Sequence, residues 1–287
     1  MTTVNRSAAP IRDKYYRIAR TPHPSVRKFL ASNYFGYSLA CGPCPLLLPA
    51  TTSVAIVLKL DDSDSTPRTL LDGNHAVYRA VPDATCRCNL VIWLSPLGTY
   101  RLLRKPTAEI RGELLDSSEL LGSDIMRLRD RTAAASTWER RFALADEFLV
   151  RRLGDAPSPA PEVIYAWSRL AATDGRERIG RVASDVGWSH KHLITKFTQQ
   201  VGLPPKTAAR LIRFDRVLRR LRHRPARWDE IAIGCGYSDQ PHLIREFIEF
   251  TGATPTSFAT TTESVRGALV AGHDLGAGVV DSVVSAG

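Results

Sequence analysis

The chain is short of the features that commit a protein to a membrane or to export. None of its apolar runs approaches the ~20 consecutive residues that a transmembrane helix needs. Its opening, Met1-Thr-Thr-Val-Asn-Arg-Ser, has no apolar core of the secretion-signal kind. Cysteine is scarce and odd in number, five in 287 residues, which argues against a disulfide framework in a chain long enough to build a core without one. The expectation is a reduced, cytoplasmic protein with no membrane partner. Acidic residues are in deficit: 29 Asp and Glu face 39 Lys and Arg, a formal charge of +10. Such a balance points to an anionic partner. What is present is ordinary, with 44% apolar and 24% charged residues, the composition of a globular protein of one large or two ordinary domains.

The positive charge is concentrated. Residues 176–224 hold 13 Lys and Arg against 3 Asp and Glu, whereas residues 225–258 hold 2 against 5. One segment therefore equals the whole net charge. A solvated cationic face and an anion-binding face explain this equally well on charge alone.

Residues 1–20 read as a polar arm. Residues 21–153 read as a β-rich unit ending in helices. Thr51-Thr-Ser-Val-Ala-Ile-Val-Leu-Lys-Leu60 and Asn89-Leu-Val-Ile-Trp-Leu94 are strand-like, the first closed by an Asp- and Ser-rich turn and the second by Ser95-Pro96. Asp72-Gly73 and Pro82-Asp83 mark further turns, a spacing that suits a small sandwich or barrel. Trp138, Phe142, Ala145, Leu149 and Leu153 then recur on one face of a helix. Three prolines within Gly154-Asp-Ala-Pro-Ser-Pro-Ala-Pro161 break that helix, so residues 154–160 read as a linker. An all-helical domain is expected over 161–260, and a disordered tail over 261–287. The fold class is thus α+β.

The most informative feature is an internal repeat. Ile179, Val182, Ala183, Val186, Gly187, Trp188 and Ser189 match Trp228, Ile231, Ala232, Cys235, Gly236, Tyr237 and Ser238 at an offset of 49. One residue is then inserted. His192-Leu193-Ile194-x-x-Phe197 matches His242-Leu243-Ile244-x-x-Phe247 at an offset of 50, and Gly202-x-x-Pro205 matches Gly252-x-x-Pro255. Each copy predicts a helix, a tight turn at a left-handed glycine, and a second helix capped by Ser189 or Ser238. Leu193 with Phe197, and Leu243 with Phe247, are expected to face inward. This is the pattern of a helix-turn-helix. A single match would not distinguish it from an ordinary helical hairpin; two in register do. Between the copies, Leu211, Phe214, Leu218 and Leu221 form the seam of a connecting helix. Its length of roughly 25 Å would set two reading helices about one DNA turn apart.

The repeat resembles the DNA-binding domain of the AraC/XylS family of transcription regulators over residues 161–260. Gly236-Tyr-Ser-Asp-Gln-Pro-His-Leu-Ile-Arg-Glu-Phe247 with Gly252-x-x-Pro255 carries the resemblance. It implies two helix-turn-helix units joined by a central helix, behind an N-terminal, cupin-like sensing or dimerising domain. The implied partners are double-stranded promoter DNA, RNA polymerase, a small-molecule effector and a second copy of the chain in a homodimer. No enzyme activity and no cofactor are expected. His75 stands alone, without the His-x-His of a metal-dependent cupin.

With the apolar pairs inward, His190, Lys191, Ile194 and Thr195 in the first unit and Asp239, Gln240, Ile244 and Arg245 in the second are the candidates for base contact; Thr198 also points outward. Arg181, Ser189, Lys196, Lys206, Arg210, Arg213 and Ser238 are the candidates for phosphate contact. His192 and His242 are better suited to packing or capping. Asp229, Glu230, Glu246 and Glu249 are candidates to meet RNA polymerase. The alternative adds a zinc or redox sensor built on Cys41, Cys44, Cys86 and Cys88, although Pro45 after Cys41-Gly-Pro-Cys44 opposes the helix that thiol redox chemistry uses.

Overall fold

The computed structural model describes residues 3–5, 15–39, 44–61, 67–84, 88–223 and 227–258. The N-terminal domain is built on strands β1 (Thr3–Asn5), β2 (Tyr15–Arg20), β3 (Tyr34–Leu39), β4 (Cys44–Leu48), β5 (Val54–Lys59), β6 (Thr69–Asp72), β7 (Arg79–Ala84), β8 (Cys88–Leu94) and β9 (Leu114–Asp116). Seven of them form one antiparallel sheet in the order β1-β2-β3-β8-β5-β6-β9, and β4 pairs with β7. The two strand-like runs of the sequence become the neighbours β5 and β8, with Ile56 opposite Ile92 and Val57 opposite Val91. Tyr15–Arg20, expected in a polar arm, instead forms β2 against β3.

Alternation along β5 and β8 divides the sheet into two buried faces. Val54, Ile56, Leu58, Leu90, Ile92 and Leu94 face the larger core, and Ala55, Val91, Phe35 and Tyr37 the smaller one. Helix α1 (Pro24–Arg27) lies between β2 and β3, α2 (Pro96–Leu103) and a 3-10 turn at Thr107–Ile110 between β8 and β9, and α3 (Ser117–Leu121), α4 (Ser123–Ala134) and α5 (Trp138–Gly154) follow β9. Helix α5 delivers Phe142, Ala145, Leu149 and Leu153 to the larger core, the four-three spacing read from the sequence. Its end at Gly154 and the next start at Pro161 coincide with the proline cluster.

The C-terminal domain is helical: α6 (Pro161–Ala172), α7 (Ile179–Asp185), α8 (His190–Val201), α9 (Pro205–His223), α10 (Trp228–Cys235) and α11 (Gln240–Thr251). Each copy of the repeat owns a core. Val163, Leu170, Val182, Ala183, Leu193, Phe197 and Val201 close the first; Ile231, Ala232, Cys235, Leu243, Phe247 and Phe250 close the second. The connecting helix α9 serves both, giving Ala208, Ala209 and Ile212 to one and Leu211, Phe214, Val217 and Leu218 to the other. Phe214 meets Phe247 and Phe250 edge-on at ring separations of 5.4 and 5.1 Å, an arrangement that aromatic quadrupoles favour. Among the described residues, no helix is long and apolar enough to cross a membrane.

Candidate nucleic-acid interface

The chain turns sharply between the two helices of each unit because a glycine there takes a left-handed conformation, φ +70° at Gly187 and +85° at Gly236. In the first unit Ser189 then caps α8, its hydroxyl accepting from the His192 amide at 3.2 Å. The second unit departs from expectation. Ser238 does not cap α11; Asp239 does, accepting from the His242 amide at 2.7 Å, while Ser238 donates to the other Asp239 oxygen at 3.0 Å. The residue inserted between the copies is therefore the cap itself, and α11 begins one position later. A carboxylate at a helix N-terminus also gains from the helix dipole. The His242 amide and the Ser238 hydroxyl hold the Asp239 carboxyl below the usual carboxylate range.

Helix α8 buries Leu193, Phe197 and Val201 on one stripe and exposes His190, Lys191 and Thr195; Ile194 and Lys196 are half-buried beside them. Thr198 differs from expectation, since its hydroxyl is buried without a partner. Thr195 donates to the Lys191 carbonyl at 3.0 Å, which leaves its oxygen available as an acceptor. Helix α11 buries Leu243, Phe247 and Phe250, exposes Gln240 and Arg245, and keeps Ile244 half-buried. The matched histidines pack as expected. His192 lies edge-on to Trp188 at 4.6 Å, and His242 to Tyr237 at 5.2 Å.

The arginines of the connecting helix are less available than their number suggests. Arg210 is clamped by Glu246 and Glu249, both at 2.6 Å, and lies over the Phe250 ring. Arg213 lies over the Tyr237 ring at 5.3 Å. Arg216 pairs with Asp174, and Arg219 with Asp215. Glu246, expected on a polymerase-facing surface, is buried; Asp229 stays half-buried, and Glu230 and Glu249 are exposed. Arg181 and Lys206 are exposed and have the reach of phosphate ligands.

One open groove runs between the two units. His190, Lys206, Arg210, Arg213 and Arg245 line it, together with His242, Arg176 and Arg178. From α8 it takes His190 at the helix start, and from α11 the face that runs from His242 to Glu249. Lys191, Ile194, Thr195, Asp239, Gln240, Ile244, Arg181 and Lys196 are not among its lining residues. Arg176 and Arg178 escaped assignment; their signal was the charge run that begins at Arg176. Arg176 also donates to the Gly234 carbonyl at 3.1 Å, tying the first unit to α10.

The thiols give the sensor alternative no support. Cys41 and Cys86 lie outside the described residues. Cys44 sits in a strand, and burial pushes the Cys88 thiol up, opposite to what a reactive thiolate needs. No group of metal-binding side chains occurs among the described residues.

Residues 182–261 match the family model described as a helix-turn-helix domain. No curated protein matches the chain. Among solved structures, the chain is similar to ToxT from Vibrio cholerae O395, at 12% identity and a TM-score of 0.40 over 86% of this chain and 96% of that one. It is also similar to the unsaturated fatty acid-bound wild-type ToxT of Vibrio cholerae strain SCE256, at 11% identity and a TM-score of 0.38 over 85% and 91%.

Proposed function

From the AraC-type helix-turn-helix domain over residues 182–261, we infer that the protein is a transcription regulator that reads two successive major grooves of promoter DNA with one chain. The observation that carries this is the matched pair of units. Each buries its apolar stripe, and both second helices border one groove. Lys191 and Thr195 in α8 and Gln240 and Arg245 in α11 are the base readers, Arg245 fitting the two acceptors of a guanine and Gln240 an adenine. His190, Ile194 and Ile244 flank them, and Asp239 serves the interface by holding the start of α11. Arg181, Lys196 and Lys206 engage phosphates, with the Ser189 and Ser238 turns close to the backbone.

The first unit, in the cationic segment, anchors the chain. The second adds specificity and turns Asp229 and Glu230 towards RNA polymerase. Residues 154–160 joint the reader to an N-terminal domain that senses a small molecule or pairs with a second copy. Support for a sensing role is a sheet with two buried apolar faces, one of which holds the Trp93 indole nitrogen buried and without a partner.

The test is selection of bound duplexes from a random pool by the full chain, followed by gel shifts. A specific site is expected to bind ~10³-fold or more tighter than a scrambled one at physiological salt. Arg245→Ala should cost about 1–3 kcal/mol and relax preference at one position of one half-site. Equal affinity for selected and scrambled duplexes would make the protein a non-specific binder. Equal losses from Lys191→Ala and Arg245→Ala would refute the division between anchoring and reading units.

A further inference from the structure

Both second helices end against the N-terminal domain, and they do so at equivalent places. The offset of 50 aligns Gln200 with Phe250 and Gly202 with Gly252. Thr107 donates through its hydroxyl to the Gln200 carbonyl at 3.0 Å, and the Ala50 amide donates to the Phe250 carbonyl at 2.8 Å. Asn74 adds a bond from its side-chain amide to the Val201 carbonyl at 2.7 Å. These are last-turn carbonyls, the ones that a helix leaves without an internal partner.

The neighbouring glycines make room for the contact. A Cβ on Gly202 would stand 2.6 Å from the Asn74 side chain, and one on Gly252 2.8 Å from the Tyr78 ring. The donors belong to one piece of structure. Thr51 and His75 exchange backbone hydrogen bonds of 2.9 and 3.1 Å, which joins the segment of Ala50 to that of Asn74. The Gly112 amide donates to the Asn74 carbonyl at 2.9 Å, which joins both to the loop after the 3-10 turn that carries Thr107. Within the C-terminal domain the units are linked through α9, whose faces go to two separate cores, and by the Arg176 bond to the Gly234 carbonyl. The platform adds a further grip on both units, at the far ends of α8 and α11.

We propose that Thr107, Asn74, Ala50 and Tyr78 are positioning residues, which set the separation and tilt of α8 and α11 and so the spacing between the half-sites that one chain reads. The proposal rests on the reading of α8 and α11 as DNA-reading helices. It makes the N-terminal domain a bracket whose deformation would be felt at both reading helices at once.

The test uses the full chain and a pool of duplexes in which two half-sites are separated by spacings varied one base pair at a time. The unaltered protein should enrich one spacing. Asn74→Ala/Thr107→Val should enrich the same half-site sequences, but the advantage of that spacing over its neighbours should fall roughly thirtyfold, what two net hydrogen bonds are worth. Thr107→Ser in the otherwise unaltered chain keeps the hydroxyl and should keep the single spacing. If the double variant melts below the assay temperature, Thr107→Val alone should show a fall of roughly fivefold, what one net hydrogen bond is worth, and Tyr78→Ala a fall in the same direction. An unchanged spacing profile in folded variants overturns the positioning role and leaves the DNA-reading conclusion standing. An unaltered chain that enriches no sequence overturns both.

Discussion

Gly187 and Gly202 occupy the same backbone region, φ +70° and +88°, yet they answer to different neighbours. A Cβ on Gly187 would meet nothing within 4 Å, whereas one on Gly202 would press into Asn74 and Thr107. Gly187→Ala should therefore cost only the left-handed strain of an L-residue, about 1–2 kcal/mol. Gly202→Ala should cost that and a further ~1–3 kcal/mol for overpacking. Urea unfolding midpoints of the two variants, at equal slope, measure the difference; equal midpoints would mean that the domains do not press on Gly202. The glycines themselves were legible because each falls where a helical stripe stops and a turn or proline follows. Their contacts were not. Asn74 and Thr107 stand 127 and 93 positions from the carbonyls that they bond, and no local pattern reaches across that interval. The side chain of Thr198 escaped for a related reason. Spacing placed it outward, but a helix face is only as exposed as the neighbours packed beside it allow.

The second helices of the two units, α8 and α11, share an apolar pattern and differ in how they begin. Helix α8 starts on a serine and α11 on an aspartate, so their stability should respond differently to acid. Ser189→Ala removes an uncharged cap and should cost about 1 kcal/mol at any pH. The Asp239 carboxyl is held below its usual value by the His242 amide and the Ser238 hydroxyl. Because the folded-state value is depressed, its contribution is fully present above the unfolded value, ~3.9. It is lost as pH falls through the lower folded-state value. Asp239→Asn retains a capping oxygen while removing that titration, and thermal melts across pH 2–6, roughly the carboxylate range, should show a shallower acid decline than in the unaltered protein. Identical slopes would mean that Asp239 titrates as it does in the unfolded chain. Strand β9 went unread because three residues carry no usable alternation. Helices α5 and α9 were legible because their apolar stripes run through about three turns or more. What periodicity misses is division of labour within one element: the seam of α9 reads as one stripe, and in the fold its neighbouring residues go to two cores.

Net charge is a property of the whole chain, and the fold redistributes it. The +10 of residues 176–224 pointed to a cationic strut, yet Arg210, Arg216 and Arg219 are each engaged by a carboxylate. The strut holds the units together as much as it holds an anion. Counting arginines could not show this, because Asp174, Glu246 and Glu249 are brought to α9 only by folding. The distinction has a measurable consequence. Binding through phosphates releases counterions, so log affinity falls with log salt by about 0.9 for each phosphate neutralised on duplex DNA. Lys206 is exposed and lines the groove, so Lys206→Ala should make that slope shallower by about 0.9, with little change in stability. Arg210→Gln should leave the slope nearly unchanged. It should instead destabilise the fold by about 1–3 kcal/mol, because the buried Glu246 carboxylate loses its arginine partner. Affinities measured by gel shift at several salt concentrations, beside urea melts of the same preparations, separate the two cations. A shallower slope for Arg210→Gln with unaltered stability would show that Arg210 leaves its glutamates for the phosphate backbone when DNA binds.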